Sequence, residues 1–324
     1  MSERRGLRLA LAALCLLAAP GRAGAAISLR WRSEEFKKVE TLFEERRYAE
    51  VVKALSGQGL TRLRFSGRLC NAYVYLGFSH EQLGQYDKAM GVYQLGAQLC
   101  PRDRDLLTRL GLLQHAMQLD EAARSILERV VQADPRHTTA LVALAEIERN
   151  LGFLDRSVDY YERALEIRDE DAALYRTYAE ALYDRRDFSL AEVAIRWSLK
   201  LEDAPESRLV LARIRRSLGF AMEAAEIVRQ AEEDAPIEDR LSYAMTAAVW
   251  HMEAGQWHNA WSQAGLVLQR RPDHPLARYV RARAYLQTGR PQLALKDLAV
   301  AAAGPEPFVA KASAALAREI EKSR

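Results

Sequence analysis

Between Cys70 and Pro101 the apolar and small residues form two clusters, Tyr73, Leu76 and Gly77, then Tyr86, Ala89 and Tyr93, with Gly84 between them and Pro101 behind. Spacings of three and four residues put each cluster on one helical face, so the segment reads as two helices joined at Gly84 and closed by Pro101. The same order returns 34 residues on, at Leu107, Leu110, Gly111, Ala123, Leu127 and Pro135, and then at Leu141, Leu144, Ala145, Gly152, Tyr161 and Ala164. A fourth copy carries Tyr175, Tyr178, Ala179, Phe188, Ala191 and Ile195, with Pro205 arriving two residues late. The fifth is Leu211, Ala212, Gly219, Ala224, Ala231 and Pro236, the sixth Ala247, Ala248, Gly255, Trp257, Ala260 and Pro272, and the seventh Ala282, Tyr285, Gly289, Ala294, Leu298 and Pro305. Small residues such as Gly77, Ala89 and Ala145 let two antiparallel helices approach, while Leu76 and Tyr93 fill the space between neighbouring pairs. Proline stops a helix because it has no amide donor and clashes with the preceding turn.

This pattern resembles the tetratricopeptide repeat (TPR) at most of its diagnostic positions. The resemblance implies an all-α fold, a right-handed superhelical solenoid of helix-turn-helix repeats in which stacking gives each pair the burial it lacks alone. Residues 68–304 are expected to hold seven repeats. Phe36, Leu42, Tyr48, Val51 and Leu55 mark a divergent helical pair within residues 26–67, followed by a loop at Ser56-Gly57-Gln58-Gly59. Residues 305–324 are expected to cap the far end as a terminal helix.

The N-terminus changes the picture of where the chain works. Arg4, Arg5 and Arg8 precede an apolar run from Leu9 to Ala19, then Pro20, Gly21 and the small residues Ala23-Gly24-Ala25, the order of a secretory signal peptide. The run of 11 residues falls short of the roughly 20 that a permanent membrane helix needs. Residues 1–25 are therefore expected to be a signal cleaved after Ala25, leaving a periplasmic or secreted protein with no stable membrane span. Four arginines and one glutamate lie in that segment, so the formal charge of +3 falls to 0 without it. A neutral chain lacks the broad positive field of a nucleic-acid binder. With 49% hydrophobic and 28% charged residues it has enough for both a core and a solvated surface.

Candidate chemistry is sparse. There is no Gly-rich phosphate loop, no nucleophile elbow and no H-E-x-x-H metal pair, so neither a catalytic residue, a metal nor a cofactor is assigned. His251 and His258 are seven apart, but Gly255 falls between them and places them on separate helices. Cys70 opens the first helix of its repeat and Cys100 ends the second, and antiparallel helices bring those ends together. In an oxidising compartment the pair could form a disulfide closing a loop of about 30 residues; otherwise both are small buried thiols.

The TPR resemblance implies partner binding along the concave surface, through positions 2, 5, 9, 12 and 13 of each first helix. In the first two repeats these positions hold Asn71, Val74, Phe78, Glu81 and Gln82, then Asp105, Thr108, Leu112, His115 and Ala116, a mixed and partly apolar set. They do not match the Lys and Asn of the TPR clamp that holds chaperone tails. The middle repeats bring Thr139, Arg149, Asn150, Arg176, Glu180, Tyr183, Arg213 and Arg216. Their forked guanidinium groups suit peptide carboxylates, unless Glu146, Glu180 and Asp184 neutralise them. Met245, Met252, Tyr279 and Arg283 in the last repeats form either a docking patch or the seat of the terminal helix.

Together these features describe a protein-protein interaction scaffold of the bacterial cell envelope, binding a protein or peptide for assembly, secretion or polymer export. Two other readings stay open: a self-associating structural component, that is a homo-oligomer, and a solenoid enzyme acting on an envelope carbohydrate or peptide through Glu146, Glu180 or Asp184.

Overall fold

The computed structural model describes residue 34, residues 36–63 and residues 67–322; the signal expected over residues 1–25 lies outside them. The described residues are helical with short turns and contain no strand. The chain divides into two compact units, Met1–Ala143 and Leu144–Arg324, and the boundary falls within one helix, Thr138–Asn150.

The first unit contains α1 (36–44), α2 (Tyr48–Leu55), α3 (Gln58–Leu63), α4 (Leu69–Gln82), α5 (Tyr86–Leu99), α6 (Arg104–Ala116), α7 (Asp120–Ala133) and the start of α8 (Thr138–Asn150). The second holds α9 (Leu154–Leu165), α10 (Ala172–Asp184), α11 (Phe188–Leu201), α12 (Pro205–Ser217), α13 (Ala221–Asp234) and α14 (Arg240–Glu253). It continues with α15 (Trp257–Arg270), α16 (Pro275–Gln287), α17 (Pro291–Ala302) and α18 (Pro307–Lys322).

Each helix pair is closed by the same local device. After α4 the amide of Gly84 donates to the carbonyl of Glu81 and that of Gln85 to His80, both at 2.8 Å, with Gly84 at φ +70°. This left-handed cap satisfies carbonyls that the helix end leaves open and reverses the chain. Pro101, Pro135, Pro236 and Pro272 then follow directly on the C-caps of the second helices, Cys100, Asp134, Ala235 and Arg271. Pro205, expected to end the fourth repeat, does something else: it sits in the first turn of α12, where an amide donor is not needed.

The core repeats a small residue with a larger one sixteen positions on: Gly77 and Tyr93, Gly111 and Leu127, Ala145 and Tyr161, Ala179 and Ile195, Ala212 and Val228, Ala282 and Leu298, the first two pairs in direct contact. All are buried. In the sixth repeat both members are alanine, Ala248 and Ala264, and five of the eight residues of that buried cluster are alanine. Ile320 of α18 lies in the last buried cluster with Ala282, Ala294 and Leu298.

One expected loop is largely helical. Only Ser56 and Gly57 form the turn after α2, and α3 begins at Gln58. Gly57 supplies a positive φ of +62°, and a Cβ on Gly59 would lie 2.1 Å from the carbonyl oxygen of Ala54, so the bare backbone lets α3 start against the end of α2.

Candidate partner-binding face

The first helix of each pair carries the residues expected to meet a partner. In the second unit α10 brings a carboxylate between two arginines. Arg149 Nη1 donates to Glu180 Oε2 at 3.2 Å and Arg176 Nη1 to Glu180 Oε1 at 3.4 Å, while Arg149 Nε stands 3.9 Å from Asp184. Two of the four expected arginines are thus matched by acids on the same face, the neutralised arrangement rather than a bare cationic run.

The remaining two differ from each other. Arg216 Nη2 pairs with Glu253 at 2.6 Å and lies over the Trp250 ring at 5.2 Å. Arg213 is exposed, stacks 4.8 Å from the Tyr183 ring, and forms no ion pair among the described residues. Tyr183 is itself fixed, with its hydroxyl accepting from Ser217 Oγ at 3.0 Å and its ring against Phe188. A guanidinium stacked by one face keeps its in-plane donors directed outward. Asn150 is exposed at the end of α8.

Met245 and Met252 are half-buried against the alanine-rich cluster. Tyr279 packs on the cluster that includes Ile320 of α18, and its hydroxyl accepts from Arg283 Nη1 at 3.4 Å. The expected apolar patch is therefore partly taken up by the core and the terminal helix.

In the first unit α4, α6 and the start of α8 enclose a pocket of about 320 Å³, lined by Val74, Asp105, Thr108, Arg109, Leu112, His137 and Thr139. Arg109 lies 4.7 Å from the Phe78 ring and makes no ion pair among the described residues. His137 is turned by its cap, its Nδ1 accepting from the amide of Ala140. Val74, Phe78, Asp105, Thr108, Leu112 and Thr139 belong to the set expected on this face; Arg109 and His137 do not. Arg109 occupies the next position after Thr108 and His137 precedes α8, so the carried-over positions pass both by.

The Sγ atoms of Cys70 and Cys100 are bonded at 2.03 Å, with their Cα atoms 5.9 Å apart. The bond joins the start of α4 to the C-cap of α5 and so ties the two ends of one repeat. Among the described residues no three His, Cys, Asp or Glu side chains are grouped as a metal site, and no helix is long and apolar enough to cross a membrane. His251 lies in α14 and His258 in α15.

Tetratricopeptide-repeat models match residues 71–113, 116–173 and 247–308, together half of the chain. The C-terminal part of a TPR repeat-containing protein from Cytophaga hutchinsonii superposes with a TM-score of 0.61 at 15% identity, covering 75% of this chain and 97% of that one. A tetratricopeptide repeat protein from Parabacteroides merdae gives 0.56 at 14% identity, covering 78% and 98%. A thermophilic TPR protein from Thermus thermophilus is 25% identical over 56% of this chain and 99% of its own, with a TM-score of 0.46. No curated protein sequence matches the chain. The repeat order, the capped helix pairs and the family-model matches lead to one conclusion: the chain belongs to the tetratricopeptide-repeat family, whose solenoids are in general protein-interaction scaffolds without enzymatic activity.

Proposed function

We propose that this protein is an exported scaffold of the bacterial cell envelope that holds a partner's peptide segment along the faces of its first helices. The observation that carries the reading is the pair of stacked arginines without ion-pair partners among the described residues, Arg109 over Phe78 in the first unit and Arg213 over Tyr183 in the second. Each presents donors that a peptide carboxylate or carbonyl can accept, and Arg109 does so beside the apolar walls of Val74 and Leu112. The signal-like N-terminus and a disulfide suited to an oxidising compartment support the location.

Residues 26–324 would be used to capture proteins from an envelope extract, beside variants carrying Arg109→Ala or Arg213→Ala. A partner retained by the native chain and lost from either variant supports the reading; capture indifferent to both substitutions refutes it. Cell fractionation, with the mass of the purified chain, tests export and cleavage after Ala25. An uncleaved chain in the cytoplasm would remove the envelope assignment.

A further inference from the structure

The second helix of the fourth repeat has an exposed apolar stripe beside its core-facing side. Leu190, Val193, Trp197 and Leu201 are 54%, 55%, 45% and 40% exposed, and their spacings of three and four residues line them up along one side of α11. The buried Ala191, Ala194, Ile195 and Ser198 lie about a quarter turn round the same helix, so the stripe flanks the core-facing side. Glu192, Arg196 and Lys200 make the charged outer side of α11, yet beside its buried face the helix leaves four large apolar side chains about half exposed, more than its own fold covers. The stripe is held in place, with Tyr175 stacked on Trp197 at 6.3 Å and Lys200 Nζ 4.3 Å from the same ring.

Leu201, at the end of the stripe, also lines a pocket of about 750 Å³ with Arg168, Asp169, Glu170, Asp171 and Glu202. Within it Arg168 pairs with Asp171 at 2.6 Å, and Asp171 caps α10 through the amide of Leu174. Asp169, Glu170 and Glu202 make no ion pair among the described residues. The surface therefore reads along its length as an apolar ridge ending in uncompensated negative charge. A ridge of this kind packs into the groove between side-chain rows of another helix. The carboxylates select a basic end for it and repel an anionic membrane.

We propose that the exposed apolar stripe of α11 docks an amphipathic helix of a partner protein, its apolar side along Leu190, Val193, Trp197 and Leu201 and its basic end in the acidic pocket beside Leu201. This site lies on a second helix of the repeat and stands apart from the first-helix face assigned above.

The probe is a labelled helical peptide with leucines on one side and lysines clustered at one end, compared by fluorescence anisotropy with a copy carrying glutamates in place of the lysines. The lysine peptide is expected to bind the chain at least tenfold more tightly than the glutamate peptide. Trp197→Ala and Val193→Ser are each expected to weaken it at least tenfold, with unchanged circular dichroism. Joint Glu170→Lys and Glu202→Lys substitution should reverse the preference, and Arg213→Ala should leave it unaltered. Equal binding of the two peptides, binding of neither, or indifference to Trp197→Ala and Val193→Ser would overturn the proposal. So would attachment to phosphatidylglycerol vesicles, or self-association, that Trp197→Ala abolishes, since either would give the stripe to another occupant.

Discussion

A Cβ placed on Gly77 would stand 2.2 Å from Cε1 of Tyr93, a ring that is wholly buried and tied through its hydroxyl to Glu81. The two helices of the first repeat are in contact at this point through backbone on one side and an aromatic face on the other. Gly77→Ala is therefore expected to cost about 1–3 kcal/mol, because the ring has nowhere to move. Gly91 offers the matched control, since a Cβ there meets nothing within 4 Å. Gly91→Ala should stabilise by about 0.5–1 kcal/mol through the lower backbone entropy of alanine in a helix. Urea unfolding midpoints of the two variants should move in opposite directions; a common direction would contradict the packing described.

How far the chain can be read without coordinates varies with the range of the interaction involved. The ladder from Gly77 and Tyr93 to Ala282 and Leu298 repeats in sequence because each pair is built within one local hairpin of helices. Gln118 and Arg186 take the turn position that Gly84 and Gly152 hold elsewhere, yet adopt positive φ angles of 60° and 71°, since the surrounding pair overrides their preference. The helix at Gln58–Leu63 is obscured because Gly57 and Gly59 look like loop residues, although one makes a turn and the other a close approach. Arg109 escapes notice because its significance depends on Phe78, which lies in the preceding repeat and carries no complementary charge. The α11 stripe, by contrast, is present in the spacing of Leu190, Val193, Trp197 and Leu201. It is overshadowed by the stronger core periodicity on the adjoining side of that helix.

The disulfide makes a separate prediction for the first unit. Its bond spans 30 residues, a loop whose closure removes about 3–4 kcal/mol of denatured-state freedom in the chain-entropy description. Reduction, or joint Cys70→Ser and Cys100→Ser substitution, should lower the unfolding temperature and open α4 and α5 to limited proteolysis. Cleavage first appearing in the second unit would argue against a local role for the bond.

Glu180 accepts from both Arg149 and Arg176, which makes it a built-in competitor for any acidic ligand on that face. Glu180→Gln is expected to alter stability by less than about 1 kcal/mol, as the pairs are partly solvated. It should tighten binding of a glutamate-rich peptide by about tenfold, or ~1.4 kcal/mol. Titration calorimetry that returned the same affinity for both proteins would remove Arg149 and Arg176 from the binding face.

Burial pushes the Tyr161 phenol up to about 12 from its ordinary value near 10.0. The folded state thus keeps this proton to higher pH than the unfolded chain does. The associated stability is whole below pH 10 and is lost as pH rises towards 12, at up to about 1.4 kcal/mol per pH unit. Tyr161→Phe should flatten the alkaline limb of the melting-temperature profile relative to the native chain. Parallel limbs would show that Tyr161 ionises as freely in the folded state as in the unfolded one.

The alanine-rich cluster that holds Ala248 and Ala264 has a mechanical meaning. Each methylene missing from a buried contact forgoes about 0.8 kcal/mol of burial, so α14 and α15 meet with less cohesive energy per turn than pairs filled by tyrosine, isoleucine or leucine. Under tension the second unit should yield at this compliant seam before its stiffer neighbours. A rupture map from single-molecule pulling that placed the first break at Ala145 and Tyr161 would refute this order. A scaffold with such a seam could take up strain transmitted by its partners while the repeats on either side remained folded.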